Sequence, residues 1–216
     1  MSFLFDLHVH SQISACSTLP IRDILKRSRS LGLHGVCITD HNSLQARNHV
    51  REGIQDDGLC VVIGQECSTQ EGHFLVFGAA KKLPSFMPAR DMLRMVQDMG
   101  AVAVAAHPFR VMQEIDERLA EAGLIEYAEG INGGNTSQEN AMAKAWQQKY
   151  QVHLTGGSDA HHLSDLGRAV TRFFEPIHSV DELIKALNSK RFEPCYNPFS
   201  GSYRHWLEAL RLLSWR

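Results

Sequence analysis

Short apolar runs rich in β-branched residues recur along this chain and alternate with longer segments of helical periodicity. That alternation restricts the fold more than any other feature. Strands are expected over Phe3 to Val9, Gly35 to Thr39, Leu59 to Gln65, Phe74 to Ala79 and Ala101 to Ala106. Three more are expected over Glu129 to Ile131, Val152 to Thr155 and Ala169 to Phe174. The helical periods fall from Ile21 to Leu31 (after Pro20, before Gly32), Leu44 to Ile54, Ala89 to Met99, Gln113 to Ala122, Ser137 to Tyr150 and Val180 to Leu187. Neighbouring strands that run the same way need a crossover helix, so the order implies a largely parallel α/β sheet. With about seven such units, closure into a barrel is favoured over an open sheet. One domain is expected over residues 1–195. Residues 196–216 form a C-terminal extension, in which Trp206, Leu207, Leu210, Leu213 and Trp215 predict an amphipathic helix packed on the domain.

The chain has 216 residues, 44% of them hydrophobic, which suits a single domain with a sizeable core. Five cysteines without a CxxC pair read as reduced thiols. The start MSFLFDLHVHS lacks a basic leader, and no apolar run approaches the roughly 20 residues that span a bilayer. A soluble, cytoplasmic protein with no membrane partner is therefore expected. The net charge of −2 argues against a broad basic track, and hence against long nucleic acid as a partner.

Twelve histidines are many for this length, and their placement matters more than their number. His8 and His10 end the first strand, Asp40 and His41 the second, and Glu66 the third. His107 follows the Ala101 to Ala106 strand, and Asp159 and His161 follow the Val152 to Thr155 strand through GGSDAH. In parallel barrels the residues just past the carboxyl ends of strands converge on one rim. Positions i and i+2 of a strand share a face, so His8 and His10 can grip one ion, and Asp159 and His161 repeat the spacing. His73 opens its run instead of closing it, yet lies only seven residues from Glu66. Imidazole and carboxylate donors with little thiolate suit Zn, Mn or Fe and disfavour Ca or Mg alone. So many donors exceed what one ion needs, and two or three divalent metal ions with a bridging carboxylate are expected. Asp6 and Asp40 are placed behind the ligands, as carboxylates orienting imidazoles. Arg110 and Arg168 are the cations nearest the motifs, each either a receiver of substrate phosphate or an ordinary surface charge. Asn132 and Asn135 could line the pocket near Glu129, although a Gly-Gly-Asn turn also explains them.

The ordered set HVHS, TDHN, the Glu66 segment, AHP and GSDAH resembles the PHP (polymerase and histidinol phosphatase) family, over Asp6 to about Pro194. The resemblance implies a distorted (β/α)7 TIM-like barrel holding two or three metals. It implies that His8, His10, Glu66 and Asp159 hold one ion. Glu66 would bridge to a second on His73 and His107, and His41 and His161 would hold a third. Fuller third sites in the family have a His or Asp a few residues after HxH, where this chain has Ala15 and Cys16. Ala15 cannot ligate; Cys16 is either a thiolate ligand or an inert thiol.

The implied activity is a freestanding metal-dependent phosphoesterase acting on a small phosphate ester or short nucleotide. A hydroxide held by the metals would attack phosphorus, with Glu66, His107, Asp159 and His161 as the catalytic set. Two other readings stay open: a metal-dependent amide or ester hydrolase, and a non-catalytic metal-binding regulatory domain. A cation in the pocket favours phosphate over amide.

Overall fold

The computed structural model describes residues 2–200. Its strands form two sheets whose facing sides share a core, and no closed barrel is present. The first sheet is ordered β11 (Phe192–Tyr196), β10 (Ala169–Phe173), β1 (Phe3–Val9), β2 (Gly35–Ile38), β4 (Cys60–Ile63) and β3 (Gly53–Ile54). The second is ordered β5 (Gln65–Thr69), β6 (Gly72–Phe77), β7 (Val102–Ala105), β8 (Tyr127–Asn132) and β9 (His153–Gly157). Single bridges, Val9 with Ala160 and His41 with Glu66, link the sheets on both sides, and each lies beside predicted site residues.

The sheets are also less parallel than expected. β1–β2, β2–β4, β7–β8 and β8–β9 run parallel, whereas β5–β6, β6–β7, β3–β4, β1–β10 and β10–β11 are antiparallel. The turn at Gln70 and Glu71 between β5 and β6 is too short for a crossover, so the chain must double back. The apolar run expected as one strand over 59–65 breaks at Gly64 into β4 and β5, one in each sheet. A Cβ at Gly64 would lie 2.7 Å from the Val76 carbonyl oxygen and 2.8 Å from the Phe77 ring. Only glycine fits there.

The helix expected over 44–54 is instead a 3-10 turn, Gln45–Asn48, followed by β3. The strand β11 has no counterpart in the sequence reading. The other helices form, α3 over only half of the span expected from Gln113 to Ala122: α1 (Ile21–Ser30), α2 (Ala89–Asp98), α3 (Glu117–Glu121), α4 (Ser137–Tyr150) and α5 (Val180–Asn188). Helix α4 starts from a capping box. The Thr136 hydroxyl accepts the Glu139 N–H, and the Glu139 carboxylate accepts the Thr136 N–H.

Between the sheets lie Phe5, Leu7, Cys37, Val62, Leu75, Val104 and Phe173, with Leu183 and Leu187 of α5 packed into the same core. Helices α2, α3 and α4 cover the other side of the second sheet through Met92, Leu119 and Trp146. Among the described residues no helix is long and apolar enough to cross a membrane. The amphipathic helix expected over Trp206 to Trp215 lies outside the described residues.

Candidate metal centre

Six histidines and two carboxylates converge where the two sheets meet. His8 is buried near the end of β1, with its Nε2 3.0 Å from that of His10. The Nε2 atoms of His8 and His10 both lie 3.3 Å from Asp159 Oδ1, and 3.5 and 3.2 Å from Glu66 Oε2. Donors each about 2.1 Å from a tetrahedral ion stand about 3.4 Å apart, so the spacings among His8, His10 and Glu66 match one ion, and Asp159 lies at a similar distance from both rings. The other Glu66 oxygen, Oε1, lies 3.0 Å from His73 Nδ1 and 3.1 Å from His107 Nε2. Glu66 therefore turns one oxygen to each group. Its Oε2 also lies 2.8 Å from His41 Nδ1, yet this buried oxygen has no well-aligned hydrogen bond. His10, His41 and His161 make a third group of donors within reach of one ion.

Partners behind the rings fix their tautomers. His8 Nδ1 lies 3.0 Å from Glu129 Oε1 and donates to it, since the carboxylate can only accept. The Ser14 hydroxyl gives its proton to Asp40 at 2.7 Å and so must accept from His10 Nδ1 at 3.3 Å. His161 Nδ1 donates to the Asp159 carbonyl at 2.9 Å. In each neutral ring the lone pair is left on Nε2. Those of His8 and His10 face each other at 3.0 Å, an arrangement that calls for a cation between them.

The surrounding carboxylates favour positive charge at these rings, whether a proton or a metal ion supplies it. Burial disfavours a charged His8, but the carboxylates of Asp159, Glu129 and Glu66 outweigh it and hold its pKa well above the ordinary histidine range. Burial likewise opposes ionisation of Glu66, and His8 with the ring nitrogens of His10, His107 and His41 reverses that and lowers its pKa far below usual. His161 is shifted down by burial and by His10. The backbone is constrained as well: His107 has φ +33° and Asp159 φ +53°. Residues other than glycine in that region cost on the order of 1–3 kcal/mol, and such strain concentrates at functional sites.

The carboxylates expected behind the ligands divide. Asp40 reaches His10 only through Ser14. Asp6 touches no imidazole. It accepts the backbone N–H of Ser158 at 2.8 Å, Gly167 at 2.9 Å and His8 at 3.3 Å, and burial raises its pKa to about 6. Its role is to tie β1 to the loop carrying Asp159. Glu129 takes the place expected of it and was absent from the predicted set. Besides His8 it accepts the His107 N–H at 2.8 Å and the Asn132 amide at 2.6 Å. Gly157 leaves room for this contact, because a Cβ there would lie 2.5 Å from His8 Cβ and 2.6 Å from Glu129 Oε1. The signal in the sequence was a lone acidic residue inside the strand YAEGI.

The two arginines also part. Arg110 Nη1 lies 2.6 Å from Asp159 Oδ2, and its other donors hold Asn132 at 2.8 Å and Asn135 at 3.0 Å. Arg168 instead pairs within its own loop, with Asp165 at 3.0 Å and the Ser164 carbonyl at 3.1 Å. Cys16 is exposed and belongs to none of the donor groups among the described residues.

The family model described as PHP-associated matches residues 137–192, from α4 into β11. An uncharacterized protein of Methanocaldococcus jannaschii, MJ0417, is 26% identical, over 79% of this chain and 70% of its own length. A probable phosphatase of Caldicellulosiruptor bescii is also 26% identical, over 76% of this chain and 82% of its own. Among solved structures, a protein of Bifidobacterium adolescentis assigned as a metal-dependent phosphoesterase superposes with TM-score 0.62 at 17% identity, over 85% of this chain and 95% of that one. Endonuclease Q, in complex with a 27-mer duplex bearing an abasic lesion, superposes with TM-score 0.65 at 16% identity, over 88% of this chain and 57% of that one. This last finding overturns the expectation that long nucleic acid is excluded. A protein of this fold holds a DNA duplex, and a net charge summed over the whole chain says nothing of where the cations lie. The chain is thus similar to PHP-associated proteins over residues 137–192, to a probable phosphatase over about three quarters of its length, and in fold to a metal-dependent phosphoesterase.

Proposed function

We propose that this chain is a metal-dependent phosphoesterase built around Glu66. The observation that carries the proposal is that carboxylate, with one oxygen facing His8, His10 and His41 and the other facing His73 and His107. The donors fit divalent ions: the buried Glu66 Oε2 lacks an aligned hydrogen bond, and two imidazole lone pairs face one another. His8, His10 and Glu66 would hold one ion, with Asp159 reaching it from beside the two rings, Glu66, His73 and His107 a second, and His41 and His161, with His10, a third. Imidazole and carboxylate donors suit Zn, Mn or Fe. When bound, such ions polarise a phosphoryl oxygen and neutralise charge that develops on it.

The chain's own groups do the rest. Glu129 and the Asp40–Ser14 pair keep His8 and His10 in the tautomer that can ligate. Arg110, held in a fork by Asn132, Asn135 and Asp159, is positioned to receive a phosphoryl oxygen. A cation there supports a phosphate ester over an amide. His161 keeps its Nδ1 proton on the Asp159 carbonyl, which leaves Nε2 open toward the cluster. The substrate class extends from small phosphate monoesters to nucleic-acid diesters, the second supported by the fold shared with Endonuclease Q.

The test is elemental analysis of the purified protein, with assays on an aryl phosphate and on a duplex with an abasic site, in Mn, Zn or Fe. The expected result is at least two metals per chain and turnover that is lost in His107→Ala. Bound metal without hydrolysis of either substrate would favour the amide-hydrolase or regulatory reading, and absence of metal would end the proposal.

A further inference from the structure

Beside the cluster lies an open cleft of about 380 Å3, lined among others by Ile13, Asn42, Leu44, Gln45, Asn48 and Lys82. Its walls connect directly to the centre. Ile13 precedes Ser14, the hydroxyl that bonds His10. Asn42 follows His41 and is locked by two hydrogen bonds to Ser68, at 3.0 and 3.1 Å. Lys82 precedes the buried Leu83, whose N–H bonds the side chain of Gln65, the neighbour of Glu66.

The wall carrying Lys82 is also pinned from its other side. Arg47 donates to the carbonyls of Ala79 at 3.0 Å and Ala80 at 3.2 Å. The Lys82 ammonium has no ion-pair partner among the described residues, whereas Arg47 is committed to those carbonyls. The cleft thus joins apolar surface (Ile13, Leu44), side-chain amides (Gln45, Asn48) and one unneutralised positive charge. Beside it stands His41, the most exposed imidazole of the cluster, with a third of its side chain open.

We infer that this cleft receives the organic part of the substrate, and that Lys82 selects esters bearing a second negative charge remote from the phosphoryl group. The inference rests on the phosphoesterase reading and adds a substrate class to it. Phenyl phosphate and 4-carboxyphenyl phosphate differ by one such charge, carried across a flat ring that can lie against Ile13 and Leu44. A partly solvated ion pair contributes up to about 1 kcal/mol, roughly fivefold.

The experiment measures kcat and KM for both esters on the metal-loaded full chain, on Lys82→Gln and on Lys82→Glu, with Lys81→Gln as the control outside the cleft. The wild-type chain should prefer the carboxylated ester, mainly through KM. Lys82→Gln should reduce the preference about fivefold, Lys82→Glu should reverse it, and Lys81→Gln should keep it. Equal effects on both esters, or none, would overturn the role of Lys82 while hydrolysis itself continued. If neither ester is hydrolysed, the phosphoesterase reading falls. Calorimetric binding of the two esters then judges the cleft separately: a preference that Lys82→Glu does not reverse sinks it.

Discussion

The two halves of the centre are built differently. His8, His10 and Asp159 are almost wholly buried, and each imidazole is held from behind by Glu129 or by Ser14 on Asp40. His41, His73 and His161 are half-buried, with 33, 20 and 27% of their side chains exposed. His107 is buried, but its Nδ1 has no partner among the described residues. The closed half's rings are shut away from water and braced by carboxylate-linked partners, whereas the open half's rings meet solvent and rest on Glu66 or on the Asp159 carbonyl. For the proposed phosphoesterase, the contrast makes the closed half the preorganised anchor and the open half the side by which substrate would enter and leave.

Breaking the shared element should produce the largest effect. Glu66→Ala removes an oxygen from both halves, so metal content should fall at both and hydrolysis should drop by several kcal/mol, on the order of a thousandfold. Elemental analysis with full metal retained would show that Glu66 is not the bridge. His73→Ala should strike only the open half, with one ion lost, the anchored ion kept, and activity down about a hundredfold, the scale for one charge-stabilising group.

Glu129→Gln sharpens the comparison from the closed side. If the new amide points its N–H2 at His8 Nδ1, the ring proton moves to Nε2 and the ligand is blocked. Metal affinity at the anchored position should fall about 10–100-fold. Competition with a chelator measures it, and unchanged affinity would mean that Glu129 is structural only. Ser14→Ala removes a neutral relay, worth about 1 kcal/mol, so a fivefold loss of affinity is expected. An effect larger than that of Glu129→Gln would invert the ranking of the two relays.

How far the site could be read in advance follows from the range of its interactions. His8 and His10 are two residues apart on a strand, and His41, His107 and Asp159 sit at or just past recognisable apolar runs. Such features are local, so they show in the sequence. The contact between His8 and Glu129 joins residues 121 apart, and a lone Glu in a strand does not announce its partner. Asp6 misled for the same reason: an acidic residue two before a ligand suggests an imidazole partner, but its oxygens turn to the N–H groups of Ser158 and Gly167. The polar stretch 44–54 carried a helical period but few apolar residues to bury, and packing left it as a 3-10 turn and a short edge strand.

By itself, the sequence determined which groups can do chemistry, where all but one of the expected helices end, and that strands deliver imidazoles and carboxylates from separate segments. Those properties depend on residue type and on periods of 2 and 3.6 residues, which a chain carries locally. Only the tertiary structure decided that the strands form two sheets linked at the site rather than a closed barrel. It also decided that Arg110 rather than Arg168 reaches Asp159, and that Glu129 stands behind His8. These outcomes depend on steric fit between distant segments, as where Gly64 lets the chain pass from one sheet to the other and Gly157 makes room for His8 against Glu129.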